Sequence, residues 1–104
     1  MAESFVRVAA TGDIPPGTAR TVEVGDHQIA LCNVGGTYYA IDDACTHRGG
    51  SLGAGTLEGS ALQCPLHRSR FDVTTGEAVG RPATEPVNAY QVRVQGSDIE
   101  VATE

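Results

Sequence analysis

The stretches CTHRGG, residues 45–50, and CPLH, residues 64–67, decide how this sequence is interpreted. Each places a cysteine and a histidine close together in the chain: Cys45 with His47, and Cys64 with His67. Two thiolates and two imidazoles are four soft to borderline ligands. Such ligands suit zinc or an iron–sulfur centre, and they suit magnesium or calcium poorly.

Turn-forming residues surround both pairs, with Gly49, Gly50 and Gly53 after the first and Pro65 inside the second. Two loops of this kind can converge on one site. The alternative is a chance arrangement, or a reduced thiol packed beside a histidine, but two of the three cysteines and two of the three histidines fall into matching pairs. Zinc fingers usually pair Cys with Cys and His with His, whereas each loop here contributes one of each. This mixture favours a binuclear cluster with both thiolates on one iron and both imidazoles on the other.

Length and composition predict a single soluble domain. The chain has 104 residues, and its seven cations, all arginines, stand against thirteen acidic residues, for a net charge of −6. This balance argues against a nucleic-acid partner.

No apolar run approaches the ~18 residues of a membrane span, and the first residues lack a basic leader, so we expect a cytoplasmic protein with no membrane contact. Three cysteines without a sign of export disfavour a disulfide framework.

Alternation of apolar and polar residues at period two predicts a meander of strands in the first half of the chain. The predicted strands cover residues 4–10, 18–24, 27–34 and 37–43. Glycines at the predicted turns, Gly25 and then Gly35 with Gly36, supply the positive φ angles that tight turns need.

Three hairpins are predicted in the second half, and no window shows helical periodicity. They cover residues 56–64, turning near 58–60; residues 69–80, turning near 75–76; and residues 89–103, turning at 96–98. We expect Tyr90, Val92 and Val94 to face the core. Residues 81–87 contain two prolines and are predicted to form a loop. The fold class predicted for residues 1–104 is therefore all-β, in one domain.

The pattern Cys45-x-His47, sixteen residues, Cys64-x-x-His67 resembles the [2Fe-2S] motif of Rieske proteins. Together with a length near one hundred residues, the segments RFD, TGE and RPATEPV make the chain similar to the small Rieske-type ferredoxins of bacterial ring-hydroxylating dioxygenase systems. The resemblance spans nearly the whole chain, and its most specific part is residues 45–82.

This resemblance implies a β-sandwich or incomplete barrel that carries a small cluster-binding subdomain at about residues 43–82. Cys45 and Cys64 would hold the inner iron of one [2Fe-2S] cluster, and His47 and His67 the outer iron. The implied role is a monomeric one-electron carrier that takes electrons from a flavin-containing NAD(P)H ferredoxin reductase and passes them to a terminal oxygenase. The carrier itself would not be an enzyme, since no residue looks like a general base beside a substrate pocket.

Two alternatives stay open. One is the same fold as a small subunit fixed in a larger complex that resembles assimilatory nitrite reductase, which a stable complex in the native host would indicate. The other is a structural zinc module in which the two cysteines and two histidines close one tetrahedral site. A colourless protein would favour the zinc module.

Other residues receive simpler interpretations. We expect Cys32, in a predicted strand, to be a buried small hydrophobe, and His27 to be a solvated turn histidine. Glycines 49 and 50 are expected to let backbone N–H groups reach the cluster sulfurs, and prolines 82 and 86 to shield the cluster. Partner docking is assigned to an apolar tip that contains Leu52, Pro65 and Leu66, with Arg48, Arg68 and Arg70 around it.

The reduction potential is predicted to lie at the low end of the Rieske range. Respiratory Rieske proteins carry an extra cysteine in each loop, where this chain has Gly50 and Leu66, and hydroxyl donors near the cluster, where it has Arg68 and Phe71. Because donors that would stabilise the reduced state are missing, we expect a potential near about −150 mV. A redox titration of the purified protein measures this value, and a midpoint well above zero would contradict the prediction.

Overall fold

The computed structural model describes residues 5–46, 50–66 and 68–103 and forms them into ten strands and two short 3-10 turns. The 3-10 turns are Thr11–Asp13 and Leu52–Ala54. The strands are β1 Val6–Ala10, β2 Ala19–Val24, β3 His27–Val34, β4 Thr37–Asp42, β5 Thr56–Glu58, β6 Ala61–Gln63, β7 Arg70–Asp72, β8 Ala78–Gly80, β9 Ala89–Gln95 and β10 Asp98–Ala102. These ranges contain no α-helix, which confirms the all-β prediction, and neither 3-10 turn has the length and apolarity to cross a membrane.

Two antiparallel sheets make up the fold. The larger has six strands in the order β1-β10-β9-β4-β3-β2, and its two edge strands, β1 and β2, also contact each other, so the sheet curves towards a closed barrel. The smaller has four strands in the order β5-β6-β7-β8, each paired with its neighbour in the chain. The small sheet lies between β4 and β9 in sequence and is therefore a local excursion from the larger one.

Strand β3 divides the interior into two cores. Ile29, Ala30, Leu31 and Cys32 are all 0 % exposed, because both faces of this strand are covered. Since side chains alternate along a strand, Ile29 and Leu31 pack into the core inside the barrel, and Ala30 and Cys32 pack into the core under the small sheet. The second of these cores also contains Cys45 and Cys64, so the two predicted cysteine ligands belong to the core on this face of β3.

The predicted strands and turns are confirmed within the described residues, with strand ends shifted by one or two positions. The turn glycines adopt the positive φ angles that the sequence indicates, for example 61° at Gly35 and 100° at Gly36. The prediction that Tyr90, Val92 and Val94 of β9 face the core is wrong for Val94. Tyr90 and Val92 pack against the barrel core, but Val94 is 45 % exposed because β9 pairs with β4 only at Ala89 and Tyr90 and has separated from that strand at Val94.

The Cys32 thiol should be chemically inert in the native protein. It is 0 % exposed, and burial raises its pKa to about 12, so almost no thiolate forms near pH 8. We expect iodoacetamide to leave Cys32 unmodified in the native protein and to alkylate it fully after denaturation, as read by peptide mass spectrometry. Alkylation of native Cys32 at the rate of the denatured chain would contradict this burial.

Candidate metal centre

Cys45 and Cys64 occupy the same position in two hairpin loops of equal length. The backbone N–H of Cys45 donates to the carbonyl of Gly50 at 2.9 Å, and the backbone N–H of Cys64 donates to the carbonyl of Ser69 at 2.7 Å. In both loops the cysteine therefore bonds to the residue five positions later. Each cysteine begins a loop that the same backbone hydrogen bond closes.

Strand pairing fixes the base of each loop. Below the first loop, Ala44 and Ser51 form an antiparallel bridge directly after β4. Below the second loop, Gln63 of β6 pairs with Arg70 of β7. Because both bases are paired backbone, the positions of the two cysteines are set by the sheets rather than by the loops themselves.

The two thiols meet in the core beneath the loops. Cys45 is 3 % exposed, Cys64 is 0 % exposed, and neither forms a disulfide. The Cys45 side chain and the Leu66 backbone both lie close enough to the Cys64 thiol to affect its pKa. Burial is the main cause that raises the pKa of Cys64, the Cys45 side chain and the Asp43 charge raise it further, and the Leu66 N–H lowers it.

The structure thus brings the two predicted cysteine ligands, Cys45 and Cys64, together in one core. His47 and His67 lie outside the described residues, as do Arg48 and Gly49. For that reason the described residues contain no group of three metal-ligating side chains.

The lack of a side chain at Gly50 allows the Cys64 sulfur to approach its backbone closely. A Cβ atom added at this position would lie 2.8 Å from the Cys64 sulfur, which is closer than packed atoms allow, and 3.0 Å from the Leu66 Cβ, which is a tight contact. Gly50 and Leu66 are also the positions at which the resemblance puts the disulfide cysteines of respiratory Rieske proteins, and they are direct neighbours here. Two buried thiols on separate loops, with a glycine directly beside one of them, are a donor set that fits an iron–sulfur centre.

Residues 81–87, the predicted proline loop, are tied to both cysteine loops. The Thr46 hydroxyl donates to the carbonyl of Glu85 at 2.8 Å, and the N–H of Ala83 donates to the buried Ser69 hydroxyl at 3.1 Å. The shielding role expected of Pro82 and Pro86 stays a prediction. These bonds hold the three segments in one arrangement.

Polar residues beside the cysteines have roles that sequence analysis missed. Asp43, Thr46 and Ser69 each make a hydrogen bond that holds a cysteine loop, yet none belongs to the Cys/His pattern. Their positions in the sequence, next to the Cys/His pairs, could have indicated these roles, because a polar side chain beside a buried ligand usually needs a hydrogen-bond partner.

The predicted docking tip needs one correction. Pro65 is exposed and Leu66 is 43 % exposed, but Leu52 is 0 % exposed and belongs to the core under the small sheet. Leu52 begins a 3-10 turn that folds back under the first loop, which its position in the sequence does not indicate.

The arginines near the tip differ in their pairing. Arg68 is exposed, with a φ angle of 65°, and has no ion-pair partner among the described residues. Arg70 reaches Glu58 at 3.1 Å and Gln63 at 3.3 Å, so its charge is partly compensated. Arg68 is therefore the described cation with most freedom to meet a partner at the tip.

A family model, the Rieske [2Fe-2S] domain, matches residues 4–91 and so includes both cysteine loops. The chain belongs to the Rieske family. It is accordingly an iron–sulfur protein.

Known ferredoxins align with most or all of this chain. Ferredoxin CarAc of Metapseudomonas resinovorans is 39 % identical over 105 residues, which covers 100 % of this chain and 98 % of the relative. The 3-phenylpropionate/cinnamic acid dioxygenase ferredoxin subunit of Shigella boydii serotype 4 is 47 % identical over 88 residues, covering 84 % of this chain and 82 % of the relative. A chain from the solved complex of reduced oxygenase and oxidized ferredoxin in carbazole 1,9a-dioxygenase superposes with a TM-score of 0.91 at 38 % identity, covering 99 % of this chain and 96 % of that one.

Similarity to these relatives shows that this Rieske protein is an electron carrier of the ferredoxin type, which confirms the prediction from the sequence. They are electron-transfer components rather than catalytic subunits. The predicted fold is likewise confirmed, with a nearly closed barrel and a second small sheet.

Replacing Gly50 by alanine should disturb the site. The added methyl would press on the Cys64 sulfur and the Leu66 side chain, and overpacking of this kind costs about 1–3 kcal/mol. We expect Gly50→Ala to lower the iron content per chain and the urea midpoint of unfolding. Gly12→Ala is the matched control, because a Cβ there meets nothing within 4 Å. Equal iron content and stability in the two variants would contradict the close approach.

Proposed function

We propose that this Rieske protein is a monomeric cytoplasmic shuttle for single electrons between a flavin-containing NAD(P)H ferredoxin reductase and a terminal ring-hydroxylating oxygenase. Cys45 and Cys64 would hold one iron of a [2Fe-2S] cluster, and His47 and His67 would hold the other. The whole chain, residues 1–104, would form one Rieske domain, with the cluster-binding subdomain at about 43–82. Bound there, the cluster supplies one-electron storage.

The main support is the pair of matched loops. Two hairpins, each closed by a cysteine N–H, deliver two thiols to one buried point, and the motif continues from each cysteine to a histidine two or three residues later. A ligand set with one cysteine and one histidine from each loop suits a cluster whose two irons differ in ligation. A single tetrahedral zinc does not require this mixture.

The residues around the thiols would serve electron transfer by protecting one side of the centre. Burial of Cys45 and Cys64 excludes water from the sulfurs. The surface above the thiols stays accessible through Pro65 and Leu66 at the tip of the second loop. Protected sulfurs beneath an exposed tip suit a protein that must exchange electrons with two partners in turn.

The oxygenase partner is supported by the relatives. The solved carbazole 1,9a-dioxygenase complex pairs an oxygenase with its ferredoxin, and the Shigella relative is named as a dioxygenase ferredoxin subunit. A small apolar tip with nearby charge is typical of brief electron-transfer contacts. A flavin-containing reductase is proposed as the donor because a carrier of one electron needs a partner that divides the hydride pair of NAD(P)H into single electrons.

Metal and sulfide analysis tests the cofactor. Purified protein should contain two irons and two acid-labile sulfides per chain, as a [2Fe-2S] centre requires, with a visible spectrum that bleaches reversibly with dithionite. One zinc per chain and no colour would overturn the proposal in favour of the structural zinc module. A stable stoichiometric complex with a reductase from the native host would instead indicate a fixed subunit.

Electron delivery should depend on Arg68 and on ionic strength. Arg68→Gln should slow reduction of the oxygenase severalfold at low salt and flatten the salt dependence, because salt screens long-range attraction between exposed charges. Arg70→Gln should have a smaller effect, since Glu58 already compensates that charge. Stopped-flow kinetics at several salt concentrations measure both variants.

Arg7→Gln is the control for the loss of one positive charge. Arg7 lies on the edge strand β1, is paired with Asp98 at 2.8 Å and belongs to the six-stranded sheet rather than to a cysteine loop. Rates for Arg68→Gln that match those of Arg7→Gln at every salt concentration would remove the steering role.

A further inference from the structure

Asp43 is a buried carboxylate directly before the first cysteine loop. It follows β4, lies two residues before Cys45 and is 3 % exposed. Its oxygens accept hydrogen bonds from the Thr21 hydroxyl at 2.9 Å, from the Ser51 hydroxyl at 2.9 Å and from the backbone N–H of Gly53 at 2.7 Å. A buried carboxylate is costly unless its oxygens are satisfied, and these three donors satisfy them.

These contacts join three separate parts of the chain at one point. Thr21 is on β2, Ser51 ends the first cysteine loop, and Gly53 lies in the 3-10 turn that follows. A Cβ atom at Gly53 would lie 2.2 Å from the Thr21 hydroxyl oxygen and 2.9 Å from an Asp43 oxygen, so only glycine fits there. The backbone of Asp43 takes part as well, because its carbonyl accepts from the N–H of Leu52 at 2.7 Å.

No described cation neutralises this carboxylate. The ion pairs within the described ranges join Arg7 with Asp98, Arg70 with Glu58 and Arg93 with Glu100, and each lies elsewhere on the surface. Asp43 is held by neutral donors instead, so its negative charge stays in the interior. Asp43 lies two residues before Cys45, and its bonds to Ser51 and Gly53 hold it against the loop that carries this cysteine.

We propose that Asp43 is a positioning residue that also sets the reduction potential of the centre, because its buried negative charge opposes the arrival of an electron. This inference rests on the proposed [2Fe-2S] function. One-electron reduction adds one negative charge at the cluster, and a fixed negative charge in a poorly solvated site disfavours that product. Asp43 therefore lowers the potential independently of the missing hydroxyl donors at Arg68 and Phe71.

Asp43→Asn tests the charge with little change of shape. Asparagine keeps one oxygen that can accept from Gly53 and Thr21, and the Ser51 hydroxyl can turn to accept from the new amide. We expect the ratio of reduced to oxidised cluster at a fixed applied potential to rise about tenfold, which is about +59 mV for a one-electron couple. A redox titration followed by the visible spectrum or by EPR gives this value without any partner protein.

Ser51→Ala separates charge from structure. It removes a donor that partly offsets the carboxylate but leaves the charge in place, so the potential should shift in the negative direction. A purely structural role would loosen the loop in both variants and would not produce shifts of opposite sign. Asp98→Asn is the control for charge alone, because Asp98 is a half-buried residue of β10 that pairs with Arg7 outside both cysteine loops, and its replacement should leave the potential unchanged.

The inference is overturned if cluster-loaded Asp43→Asn and wild type have the same midpoint, or if Asp98→Asn shifts it equally. Should Asp43→Asn fail to assemble its cluster, the midpoint of Ser51→Ala decides: a negative shift supports the inference, and an unchanged or positive one contradicts it. A wild-type protein that binds no iron would be a failure of the proposed function itself, and metal analysis detects it before any potential is measured.

Discussion

One backbone hydrogen bond, made twice, controls the geometry of this molecule. The backbone N–H of each loop cysteine donates to the carbonyl of the residue five positions later. Each cysteine is therefore fixed at the base of its loop with its side chain in the core. Paired backbone at the base of each loop, Ala44 with Ser51 and Gln63 with Arg70, supports that position. Since the same closure occurs at Cys45 and Cys64, two loops that are separate in sequence deliver their thiols to one point. The remaining features of the site are arranged around that point.

Strand β3 is the support on which this arrangement depends. One of its faces fills the barrel, and the other carries Ala30 and Cys32 into the core that also contains the loop cysteines. The two loop cysteines therefore pack in the core against β3, a strand that is paired on both sides in the larger sheet. A carrier benefits from such a base, because small structural changes between its oxidised and reduced forms keep electron transfer fast. Preorganisation of this kind is the usual way in which a protein keeps a cofactor site ready.

Local features of the fold could be predicted from the sequence, and contacts between distant segments could not. Strand periodicity located β2, β3 and β4 to within one or two residues, and the glycine pair 35–36 located a turn, because these signals depend on adjacent residues. The exposure of Val94 depends instead on where β9 separates from β4. Likewise, nothing in the neighbourhood of Thr21 indicates that its hydroxyl meets Asp43.

The candidate site shows the same division. The Cys/His spacing indicated the chemistry, since ligand type and order are properties of the sequence itself. The partners that hold the loops, Ser69 for Ala83 and Thr46 for Glu85, depend on how the proline loop returns across both hairpins. An isolated serine or threonine has many possible partners, so its role becomes visible only in the folded chain.

The central claim is that each loop gives one thiolate to one iron and one imidazole to the other. Mössbauer spectroscopy of the oxidised protein enriched in iron-57 tests it most directly, because the isomer shift of each iron reports its own ligands. The account predicts two signals of equal area with different isomer shifts, one for an iron with Cys45 and Cys64 and one for an iron with His47 and His67. A single signal, as expected if both irons had the same ligands, would contradict it.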